Sequence, residues 1–167
     1  MTEQFPGGVL DLLDAAGDRV VFEHLDRAVT GSRLLADVRR LTAGLRQHGV
    51  GPGDGVALLL GVGPKAFAAV VAAHAVGARV VGVRPGLTDR QREHLLADVA
   101  YRVTDDPDTA PSGTVLALAD LLSAPDDGVR PRVTARPGDV ARLLHTSGST
   151  GLPKACAQSY AAMTAAW

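Results

Sequence analysis

The spacing of apolar positions changes several times along the chain, and each change marks an element. Residues 9–16 are a short apolar stretch that predicts a turn or two of helix. Residues 20–22 and 28–30 flank the segment His24-Leu25-Asp26-Arg27 and predict a β-hairpin. Leu34, Leu35, Val38, Leu41 and Leu45 then recur at helical spacing, while Asp37, Arg39, Arg40 and Gln47 take the opposite face. That amphipathic helix has Thr30 or Ser32 to cap its start, and Gly49, Gly51 and Pro52 to end it. Residues 56–60 are continuously apolar, as in a strand covered on both faces. Pro64 stands where a first helical residue belongs, and residues 66–76 are apolar nearly all round, a buried helix. Residues 80–83 predict the next strand. Thr88 and Gln91 form a capping box for a helix through Val99 that presents Leu95, Leu96 and Val99. Residues 101–104 predict a third strand.

Strands alternating with helices in this way make a βαβαβ unit with right-handed crossovers. The predicted fold is α/β, a mostly parallel sheet flanked by helices. Downstream, residues 105–113 are rich in Asp, Pro, Ser and Thr and read as a loop. Residues 114–118 predict another strand, with a helical turn around Leu121, and residues 123–139 carry three prolines and read as a connector. Residues 140–144 predict a last buried strand. Residues 155–158 predict a strand and residues 159–167 the start of a helix. There are no internal repeats.

Composition narrows the function. The chain has 167 residues, 46% of them hydrophobic and 21% charged, enough for a packed core. A net charge of −1 gives no basic field for nucleic acid or an anionic membrane, and 4% aromatics argues against base stacking. The single cysteine, Cys156, excludes an internal disulfide. No apolar run reaches the roughly 18 residues of a membrane span, and the start MTEQFPGG lacks the pattern of a secretion signal, so a cytoplasmic location is expected. Among 17 basic residues only Lys65 and Lys154 are lysine.

Lys154 closes the informative segment, Thr146-Ser147-Gly148-Ser149-Thr150-Gly151-Leu152-Pro153-Lys154. Two glycines let backbone N–H groups turn toward a ligand, four hydroxyls can donate to phosphate oxygens, and the lysine adds a charge. The segment follows a strand, the usual ligand position in an α/β sheet. It lacks the Gly-Lys-Ser/Thr ending of a Walker A loop. A mobile Ser/Gly linker is the bland alternative.

The segment resembles the phosphate-binding signature of the acyl-adenylate-forming enzymes, the superfamily of acyl-CoA synthetases, peptide-synthetase adenylation domains and firefly luciferase. Gly51-Pro52-Gly53-Asp54 before Val56, Gly77-Ala78 before Val80, Arg84-Pro85-Gly86-Leu87-Thr88 and Gly17-Asp18-Arg19 are also similar to that family, and the Leu87-Thr88 ending most resembles acyl-CoA synthetases. The resemblance implies ATP and magnesium as cofactors. A carboxylic acid attacks the α-phosphate, giving acyl-AMP and pyrophosphate, and the thiol of coenzyme A or of a carrier protein then takes the acyl group. Carried over by position, Thr146, Ser147, Ser149, Thr150 and Lys154 would contact ATP phosphates, and Gly148 and Gly151 would shape the loop. Four positions depart from the family. Gly55 stands where arginine is common, His145 where an aromatic is, Ala155 where glycine is, and Tyr160 near a usual histidine.

The resemblance also implies that residues 1–167 are an incomplete N-terminal portion of the large adenylation domain. The residues for adenine, ribose, magnesium and the catalytic lysine would then lie elsewhere, with no catalytic or metal residue in this chain. The isolated chain is expected to be inactive, and to associate with itself or with the missing remainder. Two other functions compete. One is a non-catalytic truncated relative acting as an interaction module. The other is a dinucleotide-binding domain built on Gly61-Val62-Gly63-Pro64-Lys65-Ala66, in which case Lys65 is more than a solvated residue of a first helical turn. His24, His48, His74, His94 and His145 have no ligand spacing. His74 reads as a satisfied core histidine, and His145 as a ligand contact by proximity alone. Cys156 reads as a core residue of its strand, and Asp105-Asp106 and Asp126-Asp127 as solvated loop charges.

Overall fold

The computed structural model describes residues 3–25, 27–83, 86–109, 113–146 and 154–166. The chain runs α1 (Gly7–Ala16), β1 (Val20–His24), β2 (Arg27–Thr30), α2 (Gly31–Gln47), β3 (Gly55–Leu59), α3 (Pro64–Ala75), β4 (Arg79–Gly82) and α4 (Asp89–Leu96). It continues as β5 (Tyr101–Thr104), a 3-10 turn (Pro107–Thr109), β6 (Thr114–Ala117), α5 (Leu118–Leu122), β7 (Val140–Thr146), β8 (Lys154–Ser159) and α6 (Tyr160–Ala165). β1 and β2 pair antiparallel as the expected hairpin. The other six strands form one sheet in the order β6-β5-β3-β4-β7-β8. β6, β5, β3, β4 and β7 run parallel, and β8 returns antiparallel to β7.

The two-residue period of the strands divides the core. Val56 and Val80 point into a large cluster with Leu10, Leu34, Val38, Leu41, Val71 and Leu121, supplied by α1, α2, α3 and α5. Their neighbours Ala57 and Val81 point to the other face, against Leu96 and Val99 at the end of α4. The central strand is therefore covered on both sides, as its unbroken apolar run requires.

Local signals set the ends. The Thr30 hydroxyl accepts from the Arg33 N–H and caps α2, whereas the Ser32 hydroxyl donates to Asp18 at 3.0 Å. The capping box at Thr88 and Gln91 is present in both directions. α4 stops at Leu96, short of Val99, because the chain must turn to bring Ala100 N–H to Gly55 O at 3.0 Å. Val99 stays buried all the same.

Two expectations need correction. β7 is not buried throughout: Ala141 is enclosed but Leu144 is 44% exposed, because its neighbour β8 is an edge strand. Asp126 is not simply solvated. It forms a two-pronged ion pair with Arg39 of α2, at 2.5 and 2.9 Å, which ties the 123–139 connector to the helical layer. That guanidinium holds the carboxyl down at about 2. Arg130 fastens the same connector to Glu3, Asp11 and the Gly7 carbonyl. Asp105 and Asp106 are exposed.

Candidate active site

β7 and β8 form an antiparallel pair whose 146/154 end lies at the carboxyl end of the parallel strands. Thr146 and Lys154 are register partners, as are His145 with Ala155 and Leu144 with Cys156. The pairing brings the first and last residues of the sequence-predicted phosphate segment together across the hairpin. Ser147, Gly148, Ser149, Thr150 and Gly151, with Leu152 and Pro153, lie outside the described residues. Arg84 and Pro85 do also.

The base of this hairpin is fixed by side chains that periodicity alone did not reveal. Arg142 donates from Nε to Gln158 Oε1 across the strands at 2.7 Å. At the end of β8, Ser159 caps α6 by accepting the Ala162 N–H. Tyr160 then enters the core and is wholly enclosed. Its hydroxyl donates to Ala78 O at 2.8 Å, leaving the neutral His74 ring to donate from Nδ1 toward the phenol oxygen at 3.3 Å. The two rings meet edge to face at 5.6 Å, and Phe5 packs on the other side of His74 at 5.1 Å. Burial lowers His74 to about 4, with the charge of Arg142 acting the same way. Burial raises Tyr160, with the negative charge of Asp139 adding to the effect. His74 is thus the satisfied core histidine that the sequence suggested. Tyr160 appeared in the sequence only as a departure from a family pattern; the structure makes it the anchor that follows the loop.

Three other departures and candidates resolve. Cys156 is exposed on the edge strand, a correction to its reading as core; among the described residues β8 pairs only with β7, and residues 155–157 are all exposed. Gly55 has no room for a side chain: a Cβ there would sit 2.6 Å from Asp98 O and 3.1 Å from an Arg79 guanidinium nitrogen. Arg79, the register partner of Gly55, donates to that same Asp98 carbonyl at 2.7 Å, so a guanidinium reaches the place from the neighbouring strand. Lys65 is exposed in the first turn of α3, with Pro64 at the helix start. Among the described residues, no group of three His, Cys, Asp or Glu side chains is placed to hold a metal ion.

The model of the AMP-binding enzyme family matches residues 13–167, nearly the whole chain. The chain belongs to that family. It is 34% identical over 150 residues to pyochelin synthetase PchE of Pseudomonas aeruginosa, covering 88% of this chain and 10% of that protein. It is 34% identical over 148 residues to feruloyl-CoA synthase of an Amycolatopsis species, covering 84% and 30%. Among solved structures it resembles the Klebsiella oxytoca NpsA N-terminal subdomain in complex with 3-hydroxyanthranilyl-AMSN. That match has a TM-score of 0.80 and 27% identity, over 96% of this chain and 42% of that one. The chain therefore spans under a third of these curated relatives. Its fold matches the N-terminal subdomain of adenylating enzymes. Gly61–Ala66 lies within the matched stretch and forms the entry to α3, with Pro64 at the helix start.

Proposed function

We propose that this chain is the N-terminal segment of an ATP-dependent ligase that joins a carboxylic acid to AMP, releasing pyrophosphate. A thiol, of coenzyme A or of a carrier protein, then accepts the acyl group. The observation that carries this reading is the register pair Thr146 and Lys154 at the carboxyl end of β7. It closes a segment of hydroxyls and glycines inside a stretch that matches the AMP-binding family.

In this reading Thr146, Ser147, Ser149, Thr150 and Lys154 hold the β- and γ-phosphates, and Gly148 and Gly151 give the backbone room to face them. Charge-assisted contacts of this kind stabilise the negative charge that collects on the departing pyrophosphate. Tyr160 and the Arg142–Gln158 pair act at a distance by fixing the strand that carries Lys154. ATP supplies the activated phosphorus. Magnesium bound with the ATP would draw off part of the phosphates' negative charge.

The acid, the thiol and the remaining contacts belong to the whole enzyme, and the isolated chain is expected to lack turnover. Positioning of the reacting groups supplies about 7–11 kcal/mol of such a barrier, and a phosphate cradle by itself does not distinguish ground from transition state. ATP–pyrophosphate exchange with a panel of aliphatic, aromatic and amino acids tests both statements. Exchange by the full-length ligase and none by residues 1–167 is the expected result. The association expected of the isolated chain keeps its basis in the open edge of β8, and light scattering at micromolar concentration measures it.

A further inference from the structure

We propose that a second anion site lies at the opposite end of the sheet from the phosphate segment, and that it takes a phosphate monoester of nucleotide size. A cleft of about 700 Å³ opens at the amino ends of β3, β4 and β7, lined by the Pro52-Gly53 turn, Arg79, Thr134, Arg136 and Asp139. β7 has seven residues, so Thr146 is about 20 Å away along the strand, and the two sites cannot share a small ligand.

The floor of the cleft is preformed. Gly53 N–H donates to Gly77 O at 2.9 Å, and Arg79 N–H to Asp54 O at 2.8 Å. Gly77 has φ +80°, and a Cβ there would press on Pro52 and on the Ala135 backbone at 3.1 Å, so the connector lies directly on the turn. Thr134 N–H closes the wall by donating to Ala75 O.

Arg79 and Arg136 both line the cleft and keep guanidinium donors to spare. Arg79 commits one nitrogen to Asp98 O. The Arg136 side chain has no hydrogen bond or ion pair among the described residues. The one carboxylate of the lining, Asp139, opposes an anion, but its Oδ2 is taken by the Arg136 backbone N–H at 2.7 Å. Two arginines against one aspartate leave the lining net positive in a chain whose net charge is −1. The planar fork of arginine matches phosphate oxygens two at a time. The volume falls in the range of small-molecule sites, far above that of a bare phosphate ion.

The test is a titration of the full chain with uridine 5′-monophosphate and, separately, inorganic phosphate at low salt, followed by amide NMR shifts and calorimetry. The expected result is shifts at Gly53, Gly77 and Thr134, with affinity at these amides about tenfold weaker in Arg136→Ala and unchanged in Lys65→Ala. Arg79→Lys keeps the charge and loses the fork, and should also weaken binding. A dissociation constant for inorganic phosphate well above that for the nucleotide supports the larger ligand. Equal constants overturn that assignment and give the cleft to the free ion. Absence of shifts at the three amides, or shifts there that persist at full affinity in Arg136→Ala, overturns the site.

Discussion

β3 and β8 lie in one sheet and are held in opposite ways. β3 has a parallel neighbour on each side, and its residues 55–58 are buried. β8 has β7 alone beside it, and Ala155, Cys156 and Ala157 are exposed. The first strand is fixed by burial of its first four residues. The second is fixed at its base, by Arg142 on Gln158 and by Tyr160 in the core, while its loop end is left uncovered. The two regions therefore differ in what holds them: the layers around β3 hold the fold, and the β7–β8 pair carries Thr146 and Lys154, the ends of the segment proposed to meet phosphate.

The largest expected contrast is one substitution made in both regions. Leu41→Ala, in the helical layer over β3, removes a fully enclosed side chain and should cost about 2–5 kcal/mol. Leu144→Ala, on the hairpin, should cost under about 0.5 kcal/mol. Denaturant unfolding of the two variants measures the difference, and equal losses would erase the division. Acid should act next, at the junction between the regions. His74 lies near 4 in the folded chain and at 6.5 when free, so the unfolded chain binds the proton first. Stability is then complete above pH 6.5 and falls as the pH drops toward 4, by roughly 3 kcal/mol. His74→Phe should flatten that slope in melts recorded between pH 7 and pH 4.5.

Activity should follow the hairpin. In the proposed full-length ligase, Lys154→Ala should slow pyrophosphate exchange by about one to two decades, the loss of one charge-assisted contact of ~1.5–3 kcal/mol. Lys65→Ala, in an exposed turn of α3, should change the rate little; matching effects would remove Lys154 from the site. The smallest effect belongs to the connector. Asp126→Asn should weaken the fold by about 1 kcal/mol, since its pair with Arg39 is partly open to water. Asp126 is held near 2 against a free value of 3.8, so the contribution of the pair is present above pH 3.8 and disappears as the pH falls toward 2. Melts of the variant and the parent chain at pH 7 and pH 2.5 measure this.

Periodicity and capping were enough to place the β1–β2 hairpin, the amphipathic α2, the βαβαβ unit and the strands β7 and β8. Those features depend on neighbours a few residues apart, such as the Thr88–Gln91 box or the unbroken apolar run of β3, and local chemistry is written directly in the chain. Exposure at the sheet edge was not legible in the same way. Residues 140–144 look like a buried strand, yet Leu144 is open, because coverage depends on which strand lies beside it. Cys156 failed as a core residue for the same reason. Pairings over long separations were equally hidden: Arg39 with Asp126, Tyr160 with His74, and Arg79 reaching the Asp98 carbonyl over Gly55. The sequence by itself determined most of the elements, and it carries the hydroxyls, glycines and lysine on which the proposed phosphate contacts rest. The order β6-β5-β3-β4-β7-β8 decided which apolar faces are covered and which distant charges meet, since burial and ion pairing are properties of neighbours in space.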